Sequence, residues 1–389
     1  MSQQNLFDDN ANQYDALLIV SFGGPENLDD VIPFLDNVLR GLKLPEPARA
    51  RIAKRYEAFG GVSPINMHTR KLIAALRTEL DAQGPELPIY WGNRNWYPLL
   101  ADTMRQMMAD GVKRVITFVT SNFSSYSGCR KYREDLYEAM HGLENPPHID
   151  KLRLGYNHPG FIKAFSECVQ DALKKIPEKG RKKSLVLFTA HSLPESMAHQ
   201  TNYQKQLKES CQLIGDALGH QHWRLVYQSN NASYGKEAWL GPDVCDALAE
   251  AKKENVRDVV VAPIGFVCDH LEVLLDLDTE ARQRAQEIDL NMVRASTVGT
   301  HPDFVRMIRD LIYERMMEKP LRPALGPSGP SHDYCSTDCC LSGRPGEPKP
   351  ALCTATPPAF SNIGSSCASM AAQLGYFYRP GQFDCNIKS

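Results

Sequence analysis

Three short segments in the first half of the chain recur, in the same order, in the second half, and this repetition constrains the fold more than any other feature. YDALLIVSFGGP (residues 14–25) corresponds to KSLVLFTAHSLP (183–194), LPIYWGNRNW (87–96) to HWRLVYQSNN (222–231), and GVKRVITFVTSNF (111–123) to NVRDVVVAPIGFV (255–267). Each member is an aliphatic or β-branched run that ends in a turn rich in Gly, Pro, Ser or Asn. That is the pattern of a strand buried on both faces and running into a loop.

Between these runs lie longer stretches with helical periodicity, so the pattern predicts α/β units around parallel sheets. Strands are expected at Ala16–Ser21, Pro88–Gly92, Arg114–Thr120, Leu185–Thr189, Arg224–Gln228 and Asp258–Pro263. Helices are expected at Met67–Leu80, Leu100–Met108, Phe161–Lys174, Leu271–Glu287 and Pro302–Met317. The expected architecture is two doubly wound, Rossmann-like halves, residues 1–155 and 156–320, with an irregular cysteine-rich tail at 321–389. Open α/β sheets bind ligands at the carboxyl ends of their strands. SFGGPE, TSNFSSYSGC, AHSLPE, YQSN and PIGFVCDHLE fall at those ends.

Composition excludes several function classes. Lys and Arg total 44 against 46 Asp and Glu, a net charge of −2, and no basic block of the kind nucleic acid demands is present. MSQQNLFDDN lacks the cationic start and apolar run of a secretory signal. The longest apolar runs fall short of the ~20 residues that span a membrane. Cytoplasmic residence is therefore expected, with room left for peripheral membrane contact and no indication of oligomeric state.

Of the 11 cysteines, six (Cys335, Cys339, Cys340, Cys353, Cys367, Cys385) crowd the C-terminal tail. In a cytoplasmic protein this density points to metal ligation rather than disulfides. The tail is poor in aliphatic residues, so a metal, docking on the main body, or both must hold it. Zinc sites usually show paired C-x-x-C knuckles, which are absent, whereas an iron–sulfur cluster needs four thiolates and tolerates irregular spacing. Cys335, Cys339, Cys340 and Cys353 are the tail candidates, with Cys129 or Cys168 as a thiol from the body.

In the body, His191 emerges from an apolar strand onto a turn at the expected cleft, where an imidazole can act as base or ligand. Ser192 lacks the G-x-S-x-G elbow of a nucleophilic serine. PIGFVCDHLEVLLDLD gathers Asp269, His270, Glu272 and Asp276 at a strand end and helix start, with Glu272 and Asp276 on one helical face. Such a set can hold a hard or borderline cation or pass protons along a line. SFGGPE lacks the full G-x-G-x-x-G pattern, and its Pro25 removes a donor, so a tight turn explains it better than a phosphate loop.

Together GGPENLDDVIPFL, Y-x-x-F-GGVSPI, YWGNRNWYP, AHSLP, WLGP and PIGFVCDHLEVLLDLD resemble the ferrochelatases, in the family's order, from about Tyr14 to about Lys319. The resemblance implies insertion of Fe²⁺ into a porphyrin, protoporphyrin IX or coproporphyrin III, in haem biosynthesis. It implies that His191 is the active-site histidine and Glu272 the acid facing it, the two being the residues that meet the iron. Asp269, His270 and Asp276 would support them, and Ser63, Arg94, Tyr132, Trp239 and Phe266 would line the macrocycle pocket. Some family members carry a [2Fe-2S] cluster on C-terminal cysteines plus one internal cysteine, and this tail is similar, although its spacing departs from the animal pattern.

Those residue types suit the reaction. The metal must enter a rigid ring, two pyrrole protons must leave, and the ion must shed water. An apolar slot with aromatic walls can bind and bend the ring, a neutral imidazole can accept a proton, and carboxylates can deliver the ion. Two other readings compete with this one: a chelatase for cobalt or nickel, and a porphyrin carrier that would need the slot but not the acidic line.

Overall fold

The computed structural model describes residues 13–40, 46–230 and 237–352. It contains two four-stranded parallel sheets. The first is built from β1 (Ala16–Ser21), β2 (Ile89–Asn93), β3 (Arg114–Val119) and β4 (His148–Lys151), in the order β2-β1-β3-β4. The second, from β5 (Leu185–His191), β6 (Trp223–Gln228), β7 (Asp258–Ala262) and β8 (Asn291–Arg294), has the order β6-β5-β7-β8. The two topologies are the same, which is the repetition of the sequence rendered in space.

All six predicted strands are present, shifted by a residue or two at their ends. The fourth strand of each sheet was not predicted. β4 (HIDK) and β8 (NMVR) are only four residues long and mix polar with apolar residues, because an edge strand pairs on one side only and needs no continuous apolar run. The central strands do carry such runs: every residue of β1 is buried, as are Val115–Val119 of β3 and Leu185–Ala190 of β5.

The helix predicted at Leu271–Glu287 forms over that span, but its middle, Leu274–Ala281, is wound as a π-helix. A second π-turn, Tyr126–Arg130, opens the helix that continues to Met140. Single π-turns inside α-helices occur frequently at functional sites, and both of these carry residues singled out above.

One core joins the two sheets. Phe118 of β3 packs on Phe304 with ring centroids 6.3 Å apart, Phe304 on Phe161 at 6.3 Å, Phe161 on Phe165 at 5.9 Å, and Phe165 on Phe188 of β5 at 6.4 Å. Helix Pro302–Met316 follows the second sheet in sequence yet returns to helix Ile65–Gln83, where Arg309 pairs with Glu79 at 2.6 Å. Such ring-to-ring contacts each add about 0.5–1.5 kcal/mol beyond area burial, so the cleft is framed by a braced pair of sheets.

The tail docks on this body over its described length. Asn157 donates to the carbonyls of Leu325 at 3.0 Å and Gly329 at 2.8 Å, and Arg153 donates to that of Pro323 at 3.0 Å. No described helix is long and apolar enough to cross a membrane.

Candidate active site

In each sheet the chain leaves the central strand toward one neighbour and later returns to the other, which makes the carboxyl end of β1/β3 and of β5/β7 a topological switch point, the usual ligand crevice of open α/β sheets. His191 is the last residue of β5. The corresponding position of β1 is Phe22, directly after the strand. Gly265, in the turn after β7, lies against β5: a Cβ there would come within 2.8 Å of the Ala190 Cα. That close approach is why PIGF needs glycine at this position, and it brings the DHLE segment beside His191.

The orientation of the imidazole is fixed. Nδ1 of His191 lies 2.5 Å from the Ser192 carbonyl oxygen. A carbonyl only accepts, so Nδ1 carries the proton and donates, and in the neutral ring Nε2 is the free lone pair. Nε2 faces Glu272 at 3.8 Å. The Tyr203 hydroxyl donates to the His191 carbonyl at 3.0 Å and holds the strand end in place. Ser192 is buried and its hydroxyl donates to the Leu240 carbonyl at 2.7 Å, so it is occupied in structure rather than poised for attack.

His270 caps the helix that carries Glu272, with its Nδ1 accepting from the Glu272 N–H at 3.2 Å. Burial, partly offset by the Glu272 charge, holds the His270 pKa below the ordinary histidine value. Phe266 packs edge-on against this ring at 4.8 Å. Asp276 is buried, and it accepts from Ser229 Oγ and from Gln228 Nε2 at 3.3 Å. Burial pushes its carboxyl up to about 6, Ser229 opposes that shift, and the charges of Glu272 and Glu280 add to it.

A cavity of about 340 Å³ opens beside these groups. Phe22, Arg55 and Tyr56 from the first half form one side, and Glu272, Asp276 and Glu280 line the other. Burial keeps the Tyr56 phenol neutral by raising its pKa, and the Glu272 charge adds to that effect. The volume is at the small end of the range for ligand pockets, ≈ 300–1,000 Å³.

The remaining predicted residues fall around this centre rather than into it. Asp269 is held by Arg294 at 2.8 Å and by Thr297 at 3.2 Å, and it braces the turn instead of facing His191. Arg94 pairs with Asp135 and lies over the Tyr132 ring at 4.6 Å and the Phe22 ring at 5.4 Å. Tyr132 and Ser63 are buried. Trp239 is half-buried and bridges to Pro194, beyond AHSLP. Phe22, one of the cleft-edge aromatics expected from the sequence as a slot wall, does line the cavity, whereas Tyr56, Ser229 and Glu280 were missed. Glu280 carried a legible signal, because Glu272, Asp276 and Glu280 repeat every four residues.

A second constellation lies where the tail meets the 126–140 helix. A Cβ on Gly128 would come within 2.6 Å of Ser121 Oγ, so glycine allows the tight π-turn that presents Cys129. Cys129 contacts the thiols of Cys335 and Cys340, Cys335 contacts Cys339, and Cys339 lies 3.6 Å from Cys340. The four cysteines lie together where the tail meets the body. The Cys335 thiol is held well below its usual range, chiefly by the thiols of Cys129 and Cys339, while the other three are pushed up, in first place by bonds to a neighbouring sulfur. Arg130 and Arg133, both fully buried, clamp this loop. Arg130 donates to the Lys349 carbonyl at 2.7 Å, and Arg133 donates to those of Leu352 at 2.6 Å and Ser336 at 2.9 Å. Cys168 is elsewhere, its thiol directed at the Thr297 carbonyl at 3.7 Å, so the body thiol beside the tail is Cys129. Cys353 lies outside the described residues.

Comparison with known proteins identifies the family. The family model described as Ferrochelatase matches residues 14–316. The chain is 54% identical over 332 residues to the ferrochelatase of Rhodopirellula baltica, covering 84% of this chain and 93% of that protein. It is 44% identical over 371 residues to the coproporphyrin III ferrochelatase of Streptomyces coelicolor, covering 90% of this chain and 98% of that one. Among solved structures, SirB from Bacillus subtilis with Fe³⁺ superposes with a TM-score of 0.49 at 10% identity, over 78% of this chain and 96% of SirB. With its matched span covering both sheets and the cleft between them, this chain belongs to the ferrochelatase family, enzymes that insert ferrous iron into a porphyrin.

Proposed function

We propose that His191 accepts a pyrrole proton at Nε2 while the row Glu272, Asp276 and Glu280 conducts Fe²⁺ toward the ring. The observation that carries this reading is the bond from His191 Nδ1 to the Ser192 carbonyl, which leaves Nε2 as the basic nitrogen of the ring, directed at Glu272. Insertion releases two protons. One goes to Nε2 and the other leaves along the carboxylates. His270, neutral and capping the helix, positions Glu272, and Asp269 acts through Arg294 to keep the turn rigid. Phe22, Arg94, Tyr132, Trp239 and Phe266 frame the macrocycle, with Ser63 behind the first-sheet turn.

Asp276 supplies a pH signature. Its carboxylate is the form that binds a cation, so the metallation rate should rise with pH through about 6. Asp276→Asn should remove this limb from the pH–rate profile, and a variant with the limb intact contradicts the role. The sign for stability is opposite. A carboxyl raised from 3.8 to about 6 in the fold contributes stability that is fully present below the lower value and lost as pH rises through the higher one.

For the substrate, the name of the Streptomyces coelicolor relative, aligned over 90% of this chain, favours coproporphyrin III. Arg55 at the cavity edge, on a helix that also carries Arg49, Arg51 and Lys54, suits a ring with several carboxylates. Competition between coproporphyrin III and protoporphyrin IX under limiting Fe²⁺ tests this: the expected product is mainly the coproporphyrin chelate, and equal or reversed yields contradict the assignment.

The tail fits a [2Fe-2S] cluster held by Cys129, Cys335, Cys339 and Cys340. Four neighbouring thiols, three of them buried, match the ligand count, and the Arg130 and Arg133 guanidinium groups beside them balance an anionic cluster. Such a group, when bound, supplies a one-electron couple. Cys129→Ser is expected to yield protein without the visible absorption of the cluster. A wild-type preparation that holds zinc in its place and is colourless contradicts the reading.

A further inference from the structure

Within the cluster reading, on which this inference rests, we infer that His332 is an outer partner of the cluster: its Nε2–H donates to the sulfurs of Cys335 and Cys339 and raises the reduction potential. His332 Nε2 lies 3.5 Å from Cys335 Sγ and 3.9 Å from Cys339 Sγ. These are distances for an N–H shared between two sulfur acceptors. Cys129, Cys335, Cys339 and Cys340 already supply the four ligands a [2Fe-2S] cluster takes, so the ring is not needed as a ligand. Thiolates bound to iron carry no S–H, so the only proton available for these contacts is the one on the imidazole.

The segment that carries the ring is held by contacts that involve no cysteine. On one side of His332 the Ser331 hydroxyl donates to the Leu154 carbonyl at 2.7 Å, and the Ser331 carbonyl accepts from Arg322 at 2.7 Å. On the other side Asp333 pairs with the same Arg322 at 3.0 Å. The backbone is thus held on both flanks of the histidine. Hydrogen bonds to the sulfurs are among the main determinants of cluster potential. Reduction adds one electron from an external donor and makes the sulfurs more negative, and the N–H bond favours that state.

The test uses the full-length holoprotein, purified without oxygen, in a dithionite-mediated redox titration followed by visible absorption. His332→Ala should keep wild-type iron and acid-labile sulfide content while its cluster becomes harder to reduce. The expected change is about tenfold in the reduction equilibrium, or about 59 mV for a one-electron couple. His332→Gln, whose amide N–H can reach the same sulfurs, should recover part of the shift. The reduced wild-type cluster should also show an exchangeable proton by electron–nuclear double resonance, absent from His332→Ala. An unchanged potential overturns the inference. Loss of the cluster from His332→Ala also overturns it, because the ring is then needed for assembly rather than for tuning. A wild-type protein without iron and sulfide overturns the cluster reading itself and this inference with it.

Discussion

Replacing His191 with alanine is expected to lower the rate of porphyrin metallation about a thousandfold, within the 10²–10⁴ span typical of removing a positioned base. The fold has little reason to suffer. His191 is the last residue of β5, its side chain is about one-third exposed, and the Tyr203 bond goes to its backbone carbonyl, which alanine retains. Porphyrin affinity should therefore change far less than turnover, because the aromatic frame around Phe22 and Arg94 is untouched. Anaerobic stopped-flow mixing with Fe²⁺ separates the two quantities. A variant that binds porphyrin normally and still turns over at the wild-type rate contradicts the assignment of Nε2 as the acceptor.

The second large effect concerns the frame rather than the chemistry. Glu314→Ala should destabilise the protein by about 3–5 kcal/mol, the usual cost of leaving one member of a buried ion pair unmatched. Arg153 Nε and Nη2 lie 2.6 and 2.8 Å from the two Glu314 carboxylate oxygens. Both side chains are almost fully buried, at 1% and 4% exposure, so water cannot replace the lost partner. The same Arg153 donates to the Pro323 carbonyl, which ties the start of the tail to the 151–157 segment. Urea denaturation measures the loss, and limited proteolysis of the tail should speed up in parallel. A change below about 1 kcal/mol would mean the pair is solvated in the native state.

Much of this architecture was legible because the repeated strands are buried on both faces and spell themselves as aliphatic runs. His191 and the DHLE segment were legible for the same reason, since each follows such a run directly. What escaped has a common cause, which is that its signal is not local. β4 and β8 lie at sheet edges and carry no apolar run. The π-turn at 274–281 leaves the helical periodicity of the sequence nearly intact while changing which residues reach the cavity. Asp269 read as one more acid of the line, yet it is paired with Arg294, twenty-five positions away. The choice of Cys129 over Cys168 depends on a contact across more than two hundred residues with a tail whose spacing alone does not specify it. Glu280 is the exception, since the four-residue repeat of acids was there to be read.

This cleft turns over, rather than merely holding, a porphyrin. Anaerobic incubation of the purified chain with coproporphyrin III, protoporphyrin IX and Fe²⁺, followed by the visible spectrum, addresses it most directly. The free-base bands are expected to give way to those of the iron chelate over many enzyme equivalents. Stoichiometric binding of free-base porphyrin with no iron entering it, at any pH across the ionisation of Asp276, would contradict it.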